Sequence, residues 1–313
     1  MNVKMLHTSD LHLKNTNNLE LKDFDKTIEQ MIILAEGMDV KYFIFSGDFT
    51  DSYNPSIDIR LHQIEIIKKL TEKFIVIAIY GQHDMPKWGI SNMHILEKLE
   101  LKNFYLLDKK RPSKIFKDAV FYGVDYIKLN EIEDEIDKAI RFFKRQDKKR
   151  AKIFMFHYPL PGAKTSTGYK ITGKIFKNWK LLTNEIDYGA IGDIHKFQEY
   201  GNMVFYCGSP LQLDFSDVDE KKGCIILDWD DKKRELEMEF KELESPKKFK
   251  YIKQGEKVAL DEIVKIKNKK DSDELKILNL LNFKTALKKY CDNEKKKNMF
   301  KLGDEIYMEA KNE

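Results

Sequence analysis

Apolar residues along this chain alternate between two rhythms. Short continuous runs at 3–8, 42–45, 74–80, 153–156 and 188–191 read as buried strands of a parallel sheet. Between them, apolar residues fall at helical spacing: Leu21, Phe24, Ile28, Met31, Ile32 and Ala35, closed by Gly37, then Ile57, Leu61, Ile64, Ile67 and Leu70. A short helix is expected around Ile95, Leu96 and Leu99, and a longer one over Ile132, Ile136, Ala139, Ile140 and Phe143. Short strands are expected near 104–107, 114–116 and 120–124. Successive strand–loop–helix units predict a doubly wound α/β domain. After about residue 200 the rhythm changes to meandering strands at 204–207, 223–229 and 235–243. A boundary is expected near 244–246, dividing the chain into a large domain, 1–244, and a small one, 245–313.

The residues just past each strand change the picture from fold to chemistry. The strand ends read Ser9-Asp10-Leu11-His12, Gly47-Asp48-Phe49-Thr50-Asp51, Gly81-Gln82-His83-Asp84, His157-Tyr158-Pro159 and Gly192-Asp193-Ile194-His195. In open α/β sheets the C-terminal ends of strands are where ligands sit. Asp10 and His12 are two apart, on the same side of an extended segment, so both reach one ion. A mixed set of carboxylates and imidazoles suits Mn, Fe or Zn. A carboxylate held between two ions ~3.5–4 Å apart is the arrangement of two-metal hydrolases, and Asp48 is the candidate for that bridge.

Composition sets limits. Of 313 residues, 42% are hydrophobic, enough for a core, while charged residues reach 35%, above the ~25% of ordinary domains. The basic charge is mostly Lys, and the Lys/Glu-rich usage resembles that of thermophiles. A net charge of +4 permits nucleic acid as a partner only through a local basic surface. Cys207, Cys224 and Cys291 are too few and too far apart for a disulfide framework or a CxxC metal site, which points to a reducing, cytoplasmic compartment. The N-terminus has no signal-peptide apolar region, and no apolar run approaches the ~18 residues of a membrane span, so no membrane is expected as a partner.

The ordered series DLH, GDFTD, GQHD, HYP and GDIH resembles the calcineurin-like metallophosphoesterases, whose usual pattern is DxH, GDxxD, GNH[DE], a lone His and GHxH. Within that superfamily the chain is most similar to DNA double-strand-break repair nucleases of the meiotic-recombination-eleven/SbcD type, in their archaeal form. The resemblance implies a four-layer α/β/β/α metallophosphoesterase sandwich over about 1–240, followed by a small α+β C-terminal capping domain. It implies two Mn2+ ions. Asp10, His12 and His195 would hold one, and His157, Gln82 and Asp193 the other, with Asp48 bridging. His83 would face the scissile phosphate and Asp84 would orient His83. Three positions depart from the pattern. Gln82 stands for Asn, one methylene longer. Asp193 stands for His. Asp51 stands where several nucleases of this branch carry a second catalytic His.

The function implied is a Mn-dependent exo/endonuclease (3′-5′ on duplex DNA, endonucleolytic on single strands) of break repair and end processing. Two alternatives stand beside it: a generic nucleotide or phosphoprotein phosphoesterase, and a DNA-end-binding scaffold with an impaired second metal site. Loops that follow metal motifs must lie near the cleft, so Lys14, Asn15, Asn17, Tyr53, Asn54 and Trp88 are candidate contacts to duplex DNA ends, read without regard to sequence. The basic residues Lys109, Lys110, Arg111 and Lys128, and the 164–174 loop, join them. The resemblance also implies a homodimer through the helices near 57–70 and 93–99. It further implies a coiled-coil ABC-type ATPase partner whose binding segment is absent or trimmed here, and a nucleoid-associated location.

Overall fold

In the computed structural model, described for residues 2–86, 89–125, 129–252, 259 and 261–266, the strand–helix alternation is present in the expected order. The first sheet runs β12-β11-β1-β2-β3-β4. Its strands are β1 (Asn2–Thr8), β2 (Val40–Ser46), β3 (Ile75–Ile79) and β4 (Phe104–Leu106), all parallel, with β11 (Gly223–Asp230) and β12 (Glu235–Glu242) added antiparallel on the β1 edge. The second sheet runs β5-β6-β7-β8-β10-β9. Here β6 (Ala119–Val124), β7 (Ala151–His157), β8 (Tyr188–Gly192) and β10 (Val204–Tyr206) are parallel, and β5 (Ser113–Ile115) and β9 (Gln198–Gly201) are antiparallel edges. Strand β9 is not among the expected elements; its sequence, Gln-Glu-Tyr-Gly, has no apolar run, and pairing with β10 holds it extended.

The period of two along each strand builds the layers. Val3 and Met5 of β1, Tyr42 and Ile44 of β2, and Ile77 and Ile79 of β3 face Phe121, Ile153, Met155 and Tyr188 of the second sheet in one core. The alternate residues, Leu6, Phe43, Phe45, Val76 and Ala78, pack with Phe24, Ile28 and Met31 of α1 (Leu21–Gly37) and Ile66, Ile67 and Leu70 of α2 (Ile57–Thr71). On the far side, Phe154, Phe156 and Ile191 pack with Ile136 and Phe143 of α4 (Leu129–Lys144) and Leu182 of α5 (Trp179–Thr183). The result is the four-layer α/β/β/α sandwich. Helix α3 (His94–Glu97) is a single short turn. Helix α1 starts at a reciprocal cap: the Glu20 side chain accepts from the Asp23 main chain, and the Glu20 N–H donates to Asp23 Oδ2 at 3.0 Å.

The chain divides into two compact units, Met1–Phe249 with Leu260–Ile263, and Lys250–Ala259 with Val264–Glu313. Strands β13 (Lys248–Ile252) and β14 (Glu262–Ile266) form a two-stranded ribbon. Most of the segment expected to form the capping domain, 245–313, lies outside the described residues, as do the helical stretch expected at 275–290 and the final element expected at 299–308. The helical segment expected at 260–266 is instead strand β14, held by pairing with β13.

Candidate metal centre

The five strand-end motifs come together at the C-terminal edge of the parallel strands. The loops after β1 and β2 run side by side: the Asp10 N–H donates to Gly47 O and the His12 N–H to Asp48 O, both at 3.0 Å. To hold these turns, Asp10, His12, Asp48 and Asp193 take φ values of 50°, 49°, 52° and 91°. Four non-glycine residues in the left-handed region, all in the strand-end motifs, are backbone strain gathered at one site. Gly81 shows why glycine recurs there. A Cβ at that position would lie 2.2 Å from Asp48 Oδ1 and 2.5 Å from His157 Nε2, so any side chain would displace both.

Two donor groups result. Asp10, His12 and His195 bring one ligand atom each within 4.8 Å of one another, and so do Asp10, Asp48 and His157. His12 Nε2 and His195 Nε2 face each other at 3.0 Å. Donors ~2.1 Å from one ion and at right angles to each other lie about 3 Å apart, so this pair fits the edge of one coordination shell. Asp48 Oδ2 sits between the groups, 3.6 Å from His12 Nε2 and 3.2 Å from His157 Nε2. Asp48 Oδ2 and His157 Nε2 are buried without a well-formed hydrogen bond, although they face each other. Buried oxygen and nitrogen donors aimed at a common space fit divalent cations.

Supporting contacts fix these side chains. His157 Nδ1 donates to Ser46 O at 2.7 Å, which leaves Nε2 toward Asp48. Asp51 Oδ1 approaches His12 Nδ1 within 3.3 Å and Lys14 Nζ within 3.4 Å. Burial opposes the Asp51 charge, yet the His12 and Lys14 contacts bring its pKa down to about 2. The sequence departure at position 51 is therefore filled by a carboxylate that holds the His12 ring. The GDxxD spacing carries that signal, although in the sequence it registers only as a missing His. Beneath the site His7, which the sequence pattern does not single out, bonds Tyr188 Oη at 2.9 Å and Ser46 Oγ at 2.8 Å. Burial pushes its pKa to about 3.

Electrostatics tie Asp48 to His157. Burial would raise the Asp48 carboxyl, but the His157 charge beside it draws it well below the usual range. Burial would lower His157, but Asp48 and the neighbouring carboxylates raise it to about 10. Burial raises Asp193. Its carboxylate accepts a hydrogen bond from the Gln82 amide, and its N–H donates to Asp10 Oδ1 at 3.0 Å. Burial lowers His195, whereas the Asp51 contact and the Asp48 and Asp10 charges more than offset the burial of His12 and raise it.

The role expected for Asp84 is not the one its hydrogen bonds carry. His83 Nδ1 donates to the Asp51 main-chain carbonyl at 3.0 Å. The Asp84 carboxylate instead accepts from the N–H groups of Phe49, Thr50 and Gly81 at 3.0, 2.9 and 3.2 Å, and from Thr50 Oγ1 at 3.0 Å. It pins two motif loops together. Burial, with Asp48 nearby, raises its pKa to about 6. His83, expected to stay off the metals, places a nitrogen within 4.8 Å of donors from His12 and Asp48.

The candidate surface residues divide. Asn17 and Tyr53 are exposed. Lys14 pairs with Asp51, Asn15 Nδ2 donates to Asp58 at 3.3 Å, and Asn54 Oδ1 accepts from Arg60 at 2.7 Å. Lys109 pairs with Glu131 at 2.6 Å and Arg111 with Glu97, while Lys110 is exposed. Trp88 and Lys128 lie outside the described residues. The loop at 161–174 is a hairpin, bridged between Lys164 and Lys170. Its tip, Thr165, Ser166 and Thr167, lines a cleft of about 200 Å³ with Asp193, Ile194, His195 and Ser216. A further grouping, His94, Glu97 and Asp108, already holds Arg111 as its cation.

The defining pattern of the calcineurin-like phosphoesterases matches residues 3–197, which span every motif above. A DNA double-strand break repair protein Mre11 from Sulfolobus acidocaldarius is 28% identical over 247 residues, 72% of this chain and 60% of that protein. The D component of the nuclease SbcCD from Staphylococcus epidermidis is 26% identical over 310 residues, 89% of this chain and 79% of that protein. A Saccharolobus solfataricus Mre11 is 28% identical over 248 residues, 72% and 60% of the two chains. The chain thus spans less than two thirds of the length of the two Mre11 proteins. With the motif pattern matched over 3–197 and the same motifs gathered at one edge of a two-sheet sandwich, this chain belongs to the calcineurin-like phosphoesterase family.

Proposed function

We propose that the chain is a DNA nuclease of break repair and end processing that hydrolyses phosphodiester bonds with two divalent ions, manganese being the working metal. The observation that carries this reading is the place of Asp48 Oδ2, between His12 Nε2 on one side and His157 Nε2 on the other. Asp10, His12 and His195 would hold one ion, and His157, Gln82 and Asp193 the other. When bound, the ions supply an activated water and neutralise charge on the phosphoryl oxygens. The chain's own groups do the rest. His83, its Nδ1 anchored on Asp51 O, is placed to donate from Nε2 to the leaving oxygen. Asp51 keeps His12 turned inward, and Asp84 keeps the two motif loops in register.

DNA as substrate is supported by the names of the relatives and by exposed polar residues on the loops after the first two motifs. Backbone contacts of this kind give sequence-independent binding that falls with salt. Ile57 and Leu61 on α2, Ile90 before α3 and Ile95 on α3 are exposed by 76, 56, 76 and 38%. This supports a homodimer through these helices. An ABC-type ATPase partner and a DNA-capping role for 245–313 complete the proposal.

The test is cleavage of labelled duplex and single-stranded DNA with Mn2+ or Mg2+. Turnover is expected with Mn2+ and weakly with Mg2+, and His83→Ala is expected to lose cleavage while keeping DNA binding. Equal turnover in Mg2+, or full activity in His83→Ala, would overturn it. One observation favours a second reading, a DNA-end-binding scaffold: two residues expected to hold the second ion are bonded to each other, the Gln82 amide N–H donating to Asp193 Oδ1. Under that reading Gln82→Asn raises cleavage at least tenfold at unchanged DNA affinity.

A further inference from the structure

Beneath the loop that carries His195 lies a buried ion pair. Lys222 and Asp217 are 3% and 0% exposed, and Lys222 Nζ meets Asp217 Oδ1 at 2.7 Å. A lysine at this depth survives only where its charge and its donors are matched. All three ammonium donors are used: the other two go to the His195 main-chain carbonyl at 2.9 Å and to Ser209 Oγ at 2.8 Å. Asp217 is equally committed. It accepts the Leu213 N–H at 3.0 Å and Ser166 Oγ, from the hairpin tip, at 3.1 Å. The neighbouring chain is packed too closely to shift. The Ser209 N–H also donates to His195 O, at 3.2 Å, and a Cβ on Gly208 would lie 2.7 Å from that same oxygen.

One carbonyl, that of His195, is therefore held from below by a fixed cation and a main-chain N–H, while the imidazole of the same residue faces His12. We propose that Lys222 and Asp217 are positioning residues of the metal centre: their buried pair fixes the His195 main chain, hence its imidazole against Asp10 and His12, and ties the 161–174 hairpin to the same side of the cleft. Neither side chain touches a candidate ligand atom; both act through the His195 backbone and through Ser166. The inference rests on the metal reading of Asp10, His12 and His195. Groups in this supporting position, when removed, typically lower metal affinity 10- to 100-fold.

The test uses the full chain, with Mn2+ alone as the probe. Free Mn2+ is followed by electron paramagnetic resonance, and the visible spectrum of the Co2+-loaded protein reports ligand geometry. Lys222→Met leaves the Asp217 charge buried and unpaired, so the charge-neutral double variant Asp217→Asn/Lys222→Met is made beside it; the Asn oxygen still accepts the Leu213 N–H, and its NH2 can donate to the Ser166 hydroxyl. Mn2+ affinity is expected to fall 10- to 100-fold in both, with an altered Co2+ spectrum. Lys41→Met, which breaks a surface pair with Asp118, leaves both readouts unchanged. Wild-type protein that takes up no Mn2+ sinks the metal reading itself. A double variant with wild-type Mn2+ affinity and Co2+ spectrum overturns the positioning role alone. If Lys222→Met does not fold, the double variant decides; if the double variant does not fold either, the pair is a stability element and the proposal fails.

Discussion

His12 Nε2 and His195 Nε2 point at each other across 3.0 Å, from loops 183 residues apart in the chain. Two imidazole nitrogens at that separation share either one proton or one metal ion. Burial lowers the His195 pKa, while the Asp51 contact and nearby carboxylates raise that of His12 despite its burial, so a proton shared between them rests toward His12 in the absence of metal.

A divalent ion replaces that proton and binds the folded state alone, so it stabilises the fold by mass action. At a free Mn2+ concentration of 100 times Kd the gain is about 2.7 kcal/mol, which raises the melting temperature of a domain of this size by roughly 5–10 °C. His195→Ala is expected to lose most of this shift. Differential scanning calorimetry with Mn2+ or with a chelator measures it, and equal melting temperatures in the two buffers would contradict the site.

Metal uptake should also release a proton from the opposite side of the centre. His157, raised to about 10 by Asp48 after the cost of burial, is charged at pH 7.5 in the metal-free protein. Its Nε2 must lose the proton to become a ligand. Mn2+ affinity should therefore rise with pH, about tenfold per unit while His157 stays protonated. Calorimetric titrations at pH 7.5 in buffers of different ionisation enthalpy should show a proton released from His157 on top of the one displaced between His12 and His195, and His157→Asn should release about one proton fewer than wild type. Buffer-independent heats in the wild type would rule this assignment out.

Asp84 gives a different kind of outcome. Its carboxylate satisfies three main-chain N–H groups in two loops. Asp84→Ala strands these donors in a buried site, at a cost on the order of 3 kcal/mol or more. Asp84→Asn keeps one acceptor oxygen and should fall between. Urea unfolding of the metal-free chain reads this directly. An Asp84→Ala variant as stable as wild type, with only catalysis impaired, would return Asp84 to the role of orienting His83.

The sequence pattern carries the sandwich and its motif loops because both are local. Strand ends show as apolar runs stopped by Gly-Asp; Asp10 and His12 do reach one site as expected, but through left-handed turns at φ 50° and 49° rather than along an extended segment. Long-range partners are not legible there. Lys222 sits in Glu220-Lys221-Lys222-Gly223, which reads as a solvated turn. Lys221 is indeed exposed, pairing with Glu242 at 3.3 Å, and only the fold turns its neighbour inward. Asp84 looks like a partner of the adjacent His83 because sequence shows neighbours, whereas beside the nearby Gly81 its donors come from a loop 34 and 35 residues earlier. Strand β9 is held by pairing with β10, a contact that no local propensity encodes.

Asp125, at the end of β6, tests the electrostatics away from the metal ligands. It is 2% exposed, and Oδ2 has no hydrogen-bond partner among the described residues. Burial raises its pKa to about 6; the Tyr80 hydroxyl bond opposes this, and Asp108 adds to it. A carboxyl raised in the folded state binds its proton more tightly there than in the unfolded chain. Its contribution to stability is therefore complete below the unfolded value of 3.8 and is lost as pH climbs through about 6. Asp125→Asn removes that loss. Relative to wild type, the variant should gain up to about 2 kcal/mol between pH 4 and pH 8, seen as a rising difference in urea midpoints with chelator present. A difference that stays flat across this range would mean that Asp125 titrates at its ordinary value.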